Sequence, residues 1–410
     1  MVTDHSLPDG LQDHGYLKPT LRIFLSVDIV NSTSFKQAAR GHLEKKLRQA
    51  DVPIENDREE IWFSPIARFY RGIERKLGEE WRKRCDSITD LGDPGSPPTL
   101  WKASGDEVIY EKKLVSPLQA LLTTRAWMAA VNEHRLELKE EFPILDLKAS
   151  AWLAGFPVNN AEVVLRRTPD ELNPLEDLTE GDSFLVNILR LKELHKQSRS
   201  DDGDIFLDFI GPSMDTGFRV SSLATPRKLA ITIDLAYMVA HAADAMPKHI
   251  SFPLLRPPLF QYDGRIPLKG VSDGAPYPFF WIDMKEDDAI LVEEDKLTGR
   301  KRLLCAEVLP FCTGFFSEHH ERGAFMTPYL VDEPTTSPFS HVPEVHKKRL
   351  AGLVYWAQEL NKREEEKASQ LAINEPTVPQ EPASVPPTFP ELWTELAKFF
   401  ISRQPGIVQK

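Results

Sequence analysis

At residues 26–33 the chain reads Ser26-Val27-Asp28-Ile29-Val30-Asn31-Ser32-Thr33, directly after the mostly apolar run 21–25. A short apolar run rich in β-branched and aromatic residues predicts a central β-strand, which here ends near Asp28. The polar residues Asn31, Ser32 and Thr33 are good helix N-cap candidates, so we expect a helix to start near Phe35. The stretch therefore predicts a strand–turn–helix unit with an aspartate at the strand end.

A second acidic motif follows a long amphipathic segment and reads Lys102-Ala103-Ser104-Gly105-Asp106-Glu107-Val108. Its Gly-Asp pair predicts a tight turn between two strands. Carboxylates are hard oxygen ligands suited to Mg²⁺ or Mn²⁺, and two such ions roughly 4 Å apart can activate an attacking oxygen and stabilise a leaving one. We therefore expect Asp28 and Asp106 to hold two divalent cations, with Ile29 adding its backbone carbonyl.

The helix expected after Asp28 provides a place for phosphates. Its first backbone N–H groups, at 31–34, have no partner within the helix and attract anions. The alternative is that Asp28 is a helix-capping residue and Asp106 an ordinary turn aspartate. Either motif alone favours that alternative, and the two together favour a triphosphate site.

A third cluster lies further along the chain and reads Asp208-Phe209-Ile210-Gly211-Pro212-Ser213-Met214-Asp215-Thr216-Gly217-Phe218-Arg219. It predicts a strand that ends near Phe209 and a helix over 215–224. Arg219 lies one helical turn after Asp215, so both side chains share one face. In isolation Arg219 is an ordinary solvated arginine.

The composition limits the classes of function. The chain has 410 residues, of which 41% are hydrophobic, and no run approaches the roughly 20 apolar residues of a membrane helix. The polar N-terminus and only three cysteines predict a cytoplasmic protein without disulfides. The net charge of −12 argues against a nucleic-acid polymer as partner, because such partners need a basic face. A free nucleotide stays possible, since bound cations neutralise its phosphates.

Strands and helices alternate over residues 20–247, which predicts an α/β (α+β) sheet covered by helices. The composition changes near Met246, and the alternation over 281–309 predicts further strands. We therefore expect a separate β-rich module over 248–372, closed by a helix from Glu344.

The two ends of the chain are expected to lie outside these domains. Residues 1–19 have the composition of a loose leader. Residues 373–410 are predicted to form a proline-rich linker and a short amphipathic tail helix.

The three acidic segments resemble the catalytic domain of class III nucleotidyl cyclases, and within that superfamily the pyrimidine cyclases of bacterial Pycsar anti-phage systems. The resemblance covers about residues 20–245 and implies a catalytic domain over 20–247 with a central, mostly antiparallel sheet flanked by helices. It rests on matches to Asp-Ile-x-x-x-Thr, Lys-x-x-Gly-Asp and Asp-x-x-Gly-x-x-x-Asn-x-x-x-Arg, made by Asp28, Ile29, Thr33, Lys102, Gly105, Asp106, Asp208, Gly211 and Arg219. The asparagine position holds Asp215, a departure from the purine cyclases.

The resemblance implies a reaction in which a nucleoside triphosphate becomes its 3′,5′-cyclic monophosphate and pyrophosphate, with two Mn²⁺ or Mg²⁺ ions per site. Lys102 and Asp208 occupy positions that read the base in adenylate cyclases. Asp215 is expected to orient the ribose or Arg219, and Arg219 to neutralise charge on the phosphate from the facing subunit. The active unit implied is a head-to-tail homodimer.

The choice of base rests on conflicting residues. Lys102 and Asp208 favour a purine. Trp152, in the predicted strand 146–156, adds bulk that would narrow a base pocket and favour a pyrimidine, although a strand tryptophan is more commonly a core residue. By resemblance the substrate is UTP, with CTP next, and cyclic UMP acts on a separate effector in anti-phage defence. The alternatives are an adenylate or guanylate cyclase and a catalytically silent nucleotide-binding regulator.

The C-terminal module has a weaker resemblance of its own. The segments 264–271 and 276–281 are similar to the sensor-like domain appended to some nucleotidyl cyclases. A regulatory role is the hypothesis that follows. The turn at 104–108 is also similar to that of diguanylate cyclases, which have no counterpart of Asp208, Asp215 and Arg219.

Overall fold

A computed structural model describes the chain over residues 7–38, 62–88, 91–166, 176–197, 205–247, 253–271, 274–319 and 325–374. The chain divides into two units, 1–360 and 361–410. The described part of the second unit, 361–374, is helical. The predicted tail helix and proline-rich linker after residue 374 lie outside the described residues.

The strands, in chain order, are β1 (Thr20–Val30), β2 (Thr99–Ser104), β3 (Glu107–Leu114), β4 (Asp146–Phe156), β5 (Ala161–Arg166), β6 (Ile205–Ile210), β7 (Lys228–Ile231), β8 (Phe260–Ile266) and β9 (Tyr277–Asp283). Seven of them form one sheet in the order β2-β3-β1-β4-β7-β9-β8, and β5 pairs with β6 in a second, two-stranded sheet. The pair β4 and β7 is parallel, and the other pairs are antiparallel. The predicted mostly antiparallel sheet is therefore confirmed.

The α-helices are α1 (described over 32–38), α2 (Phe63–Ser87), α3 (Pro117–Glu141), α4 (Glu176–Thr179), α5 (Ser183–Gln197), α6 (Pro212–Ser221), α7 (Ile233–Asp244), α8 (Ala289–Leu297), α9 (Cys305–His319) and α10 (Glu344–Asn374). Within the described ranges, no helix combines the length and the apolar character needed to cross a membrane.

The two faces of the sheet have different cores, because side chains alternate along a strand. From β1, the odd-numbered residues 21–29 enter the larger core, together with residues of α2, α3 and α7. Phe24 points to the other face and joins an aromatic cluster with Trp101, Trp152, Phe156 and Phe209. This second face also carries Asp28, which lies four residues further along β1.

Amphipathic spacing explains how the helices cover the first face. On α2 the buried residues Ile66, Phe69, Ile73 and Leu77 recur at three- to four-residue intervals, as the sequence predicts. Helix α3 begins with Ser116 as N-cap, whose hydroxyl accepts a hydrogen bond from the N–H of Gln119 at 3.4 Å. Both helices pack against each other, and α3 also packs against α7.

The β-rich character predicted after residue 248 is limited to two strands. Strand β9 pairs with β7, so β8 and β9 extend the same sheet that holds β1. The strand alternation expected over 281–309 is wrong beyond Asp283, because α8 and α9 follow. Asp288 starts α8 by accepting hydrogen bonds from the N–H groups of Ile290 and Leu291, a local capping signal that outweighs the alternation.

The leader is more ordered than its composition predicts. Leu11 and Leu17 lie at two short 3₁₀ turns and are buried. They pack in a small cluster with residues of α5 and with the first part of α10: Leu185, Ile188, Leu189, Val354, Ala357 and Leu360. The expectation of a loose leader is therefore wrong over the described residues 7–19, because apolar side chains anchor it.

Candidate active site

One open cavity of about 440 Å³ lies where β1 ends. Its lining is formed by the end of β1, the start of α1, the β2–β3 turn, β4 and the loop after α6: Asp28, Ile29, Val30, Asn31, Ser32, Thr33, Ser34, Asp106, Lys148, Ala224, Thr225 and Pro226. All three predicted cation ligands and the three predicted phosphate-binding residues are in this set. The structure thus brings together six of the residues singled out from the sequence.

Strand pairing explains why the two aspartates meet. Asp28 pairs in register with Glu107, the residue after Asp106, so the β2–β3 turn lies beside the end of β1. The N–H of Ile29 donates a hydrogen bond to the carbonyl of Asp106 at 3.1 Å. Gly105 makes the turn possible with a φ of 68°, a left-handed value that glycine adopts without strain. Both aspartate side chains are about a quarter exposed, at 27% and 29%.

The start of α1 forms the other wall. Asn31 has a φ of 69°, which asparagine tolerates better than most residues, and its side-chain amide donates to the carbonyl of Ile144 at 3.0 Å. The helix then begins, and the N–H of Phe35 donates to the carbonyl of Asn31. The Ser32 hydroxyl donates to the Asp106 carboxylate. Because the first N–H groups of a helix lack intrahelical partners, this wall can bind an anion.

Two lysines that the sequence analysis did not single out balance the two aspartates. The Lys148 ammonium lies 2.8 Å from Oδ2 of Asp28, and the Lys36 ammonium lies 3.8 Å from Oδ2 of Asp106. Burial raises the pKa of Asp28 above its ordinary value, and the charge of Asp106 adds to the rise, while Lys148 opposes it. The pairing of β1 with β4, which places Lys148 beside Asp28, is the signal that would have found this residue.

The donors in the cavity fit a hard divalent cation. The side chain of Ile29 is buried in the larger core, so its backbone is the part that faces the cavity. Among the residues that the structure describes, no cluster of three or more His, Cys, Asp and Glu side chains is arranged to hold a metal ion. Two carboxylates and a carbonyl are an incomplete set, as is usual for Mg²⁺ sites in which substrate phosphates supply further ligands.

Lys102 and Asp208 form a second group outside this cavity. The Lys102 ammonium donates to Oδ1 of Asp208 at 3.1 Å and lies over the ring of Trp101, 4.6 Å from its centroid. The pair links the end of β2 to β6. Both side chains stay partly exposed, at 38% and 22%, so each can contact a ligand.

Helix α6 carries Asp215 and Arg219 on its exposed side. Gly211 precedes the helix with a φ of 137°, and Asn160 holds the start of α6 by accepting a hydrogen bond from the N–H of Ser213 at 2.9 Å. Neither Asp215 nor Arg219 lines the cavity. Within a single chain, the structure therefore does not bring these two residues to the aspartates.

Trp152 does not lie where its predicted role requires. Its ring is fully buried and stacks on Phe24, with centroids 5.6 Å apart and an angle of 10° between the planes. Helix α6 covers it, and a Cβ atom on Gly217 would overlap the ring. The prediction of a direct contact between Trp152 and a base is wrong for this structure, because the sheet face around Trp152 is a closed aromatic cluster.

Comparisons with known proteins give backbone similarity without sequence similarity. No protein-family model matches the sequence, and no curated protein matches it. Among solved structures, the adenylyl cyclase CyaB from P. aeruginosa is 10% identical, with 65% of this chain and 94% of that chain covered and a TM-score of 0.38.

Two further solved structures give similar values. The guanylate cyclase domain of RhGC from Catenaria anguillulae in complex with GTP is 11% identical over 65% of this chain and 97% of that chain, with a TM-score of 0.29. A bacterial light-regulated adenylyl cyclase is 9% identical over 68% of this chain and 57% of that chain, with a TM-score of 0.36. At these values the similarity assigns neither a family nor an activity to this chain.

Proposed function

We propose that this protein is a nucleotidyl cyclase that converts a nucleoside triphosphate to its 3′,5′-cyclic monophosphate and pyrophosphate. The observation that carries the proposal is that Asp28, Asp106 and the start of α1 share one open cavity. Carboxylates for cations and free helix N–H groups for phosphates are the two components that a triphosphate site needs. The motifs that resemble class III cyclases supply the same residues.

Six residues of the cavity have a defined task in this reaction. Bound Mn²⁺ or Mg²⁺ would be held by Asp28, Asp106 and the carbonyl of Ile29, and would supply charge neutralisation and activation of the 3′-hydroxyl. The N–H groups at the start of α1, near Asn31, Ser32 and Thr33, hold the β- and γ-phosphates in place. This orientation leaves the α-phosphate near the aspartates.

The remaining residues act from a second copy of the chain. Lys102 and Asp208 contact the base, Asp215 orients the ribose or Arg219, and Arg219 neutralises charge that develops on the α-phosphate. Because these four residues lie outside the cavity of their own chain, a head-to-tail homodimer completes two composite sites.

Mixing two inactive variants tests this arrangement. Asp106→Asn removes the cation ligand from one subunit, and Arg219→Ala removes the arginine from the other. A heterodimer then keeps one intact site, so the mixture should recover about a quarter of the wild-type rate. A mixture that stays inactive although size-exclusion chromatography shows mixed dimers would contradict composite sites.

For the substrate we propose UTP, with CTP as the next candidate, and a cytoplasmic role in which the cyclic product acts on a separate effector in anti-phage defence. The resemblance to pyrimidine cyclases, including Asp215 in the asparagine position, supports this choice. The bulk of Trp152 no longer does, because the ring is buried. A sensor-like role for the region from 248 onward belongs to the same proposal.

A purine cyclase is the second candidate. Its support is the intact ion pair between Lys102 and Asp208, which keeps a donor and an acceptor together at the positions that read the base in adenylate cyclases. A purine substrate would keep the cavity chemistry and change only the base contacts.

The deciding experiment is incubation of the purified protein with Mn²⁺ and each of ATP, GTP, CTP and UTP separately, with chromatographic separation of products. Cyclic UMP as the dominant product would support the proposal, and cyclic CMP its first alternative. Cyclic AMP or GMP would replace the pyrimidine assignment. Mn²⁺-dependent binding of a nucleotide without any product would favour a silent regulator.

A further inference from the structure

Each aspartate of the cavity is already paired with an ammonium group from its own chain. Lys148 lies against Asp28, and Lys36 lies near Asp106. Within these two pairs, the charges of the two carboxylates and the two ammonium groups cancel before any cation binds. A divalent cation that binds Asp28 must therefore compete with Lys148.

The position of Lys148 differs from that of a lysine whose ion pair only stabilises the fold. Asp28 pairs in register with Lys148 on β4 and with Glu107 on β3, so these three side chains form one row on one face of the sheet. Lys148 also lines the cavity and is 32% exposed. Its ammonium carries three donors, and in the described part of the chain Asp28 is its one ion-pair partner.

A buried arginine on the same strand as Asp28 shows what a structural role looks like. Arg22 is 5% exposed and is held between two carboxylates, Glu111 at 2.5 Å and Glu162 at 2.6 Å. Its Nε, Nη1 and Nη2 groups donate to these two carboxylates, and Arg22 does not line the cavity that contains Asp28. Lys148 has a flexible stem, a single ion-pair partner among the described residues and open space beside it, so it can leave Asp28 without breaking a network.

We propose that Lys148 is an exchangeable counter-ion of the site. In the metal-free protein it neutralises Asp28 and competes with the divalent cation, and once displaced it binds the phosphates of the incoming triphosphate. The inference rests on the proposed function for the identity of the ligands. It adds Lys148, which lies outside the three cyclase motifs quoted above. Lys148 weakens the binding of the cation and strengthens the binding of the triphosphate.

The test measures both effects, on cation affinity and on triphosphate affinity, in one variant. Lys148→Met keeps the length of the side chain and removes its charge. Free Mn²⁺ is titrated by electron paramagnetic resonance without nucleotide, and Mn²⁺ should bind the variant roughly fivefold more tightly, the factor that an ion pair of partial exposure contributes. The KM for the triphosphate that the wild type cyclises, measured at saturating Mn²⁺, should rise by about tenfold with a smaller change in kcat.

Matched variants separate charge from structure. Lys148→Arg keeps the charge, so Mn²⁺ affinity should not increase. Lys139→Met removes a lysine that lies 2.7 Å from Asp146 at the start of the same strand but does not line the cavity, so neither quantity should change. Thermal unfolding verifies that each variant is folded, and Lys148→Gln replaces Lys148→Met if that variant does not fold.

The outcomes also separate this inference from the proposed function. Mn²⁺ affinity that is equal or weaker in a folded neutral variant, while the wild type binds Mn²⁺ through Asp28 and Asp106, overturns the role of Lys148 alone. If neither wild type nor variant binds Mn²⁺ in a way that Asp28→Asn abolishes, both the inference and the cation site are wrong.

Discussion

Strands β3, β1 and β4 present two adjoining regions on one face of the sheet. In the first, Glu107, Asp28 and Lys148 lie side by side, charged and partly exposed. In the second, Phe24 and Trp152 lie side by side and are fully buried. Phe24 lies four residues before Asp28 on β1, so both side chains point to the same face. The two regions share their strands, their register and their direction, and they differ in what covers them.

The position of helix α6 explains why one region is buried and the other is partly exposed. Helix α6 lies over the aromatic region, where Gly217 allows its backbone to approach Trp152. The row that contains Asp28 lies beyond that helix and opens to the cavity. One sheet face therefore combines a closed aromatic cluster with partly exposed ion pairs at an open cavity. The predictions below separate these two regions by their effects on activity and on stability.

The largest expected effect is on product formation. Asp106→Asn keeps the shape of the side chain but removes the charge that a divalent cation needs. Activity should fall by more than the roughly 10–100-fold that loss of an outer-shell partner costs, with little change in Tm. The rate of cyclic nucleotide formation is measured by chromatography. Asp332→Asn, which alters an exposed aspartate paired with Lys18 at 3.1 Å, serves as control and should leave the rate unchanged.

The aromatic region should respond in stability. Trp152→Ala removes a fully buried ring and leaves a cavity, so the free energy of unfolding should fall by about 3–5 kcal/mol. Urea denaturation measures it, and Trp356→Ala, at an exposed position on α10, should cost far less. If the Trp152→Ala protein keeps its stability but loses affinity for the nucleotide, Trp152 contacts the base after all.

A smaller cost is expected where α6 contacts the sheet. Gly217→Ala places a Cβ atom against the Trp152 ring, and this overpacking should cost about 1–3 kcal/mol despite the better helix propensity of alanine. Gly78→Ala, on α2, has no atom near the new Cβ and should instead stabilise the protein by up to about 1 kcal/mol. Equal effects of the two substitutions would show that α6 does not pack tightly on Trp152.

The charged region should respond to pH. Cation binding needs ionised Asp28, whose pKa is raised by burial. Mn²⁺ affinity should therefore rise with pH through that raised pKa, and below it should fall by about tenfold per pH unit. Titrations of wild type and Asp28→Asn at several pH values measure the difference; identical profiles would contradict the role of Asp28.

In the metal-free protein the same pKa shift lowers stability as the pH rises, whereas it makes cation affinity increase. A raised pKa in the folded state means that folding favours the protonated carboxyl. This contribution is present below the ordinary pKa of aspartate and is lost as pH rises through the raised pKa of Asp28.

The smallest effect on stability is expected for the Lys102 pair. Lys102→Met removes a partly exposed ion pair with Asp208, so the free energy of unfolding should change by less than about 1 kcal/mol. The KM for the nucleotide should rise, because the base loses a donor. The nucleotide, UTP or ATP, whose KM rises more in the variant carries the base that Lys102 contacts. If neither KM changes, Lys102 does not belong to the site.

The sequence alone predicted the elements whose signals are local. Strand β4 has the expected bounds, and the helix that follows Asp28 begins at Ser32, three residues before the predicted start near Phe35. The helices α8 and α9 were not predicted, because short alternating stretches do not distinguish a strand from a capped helix. Candidate cation-ligand and phosphate-binding residues could be named because each motif combines a strand end with a turn or helix start.

The sequence by itself determined that one aspartate stands near a strand end before a helix start and the other at a tight turn. The pairing of β1 with β3 then brings Asp28 and Asp106 into one cavity. Only the tertiary structure decided that Trp152 is a core residue and that Lys148 faces Asp28. The physical reason is that the surroundings of a strand residue are set by the strands beside it and the helix above it. Those neighbours lie far away in the chain, so no local pattern records them.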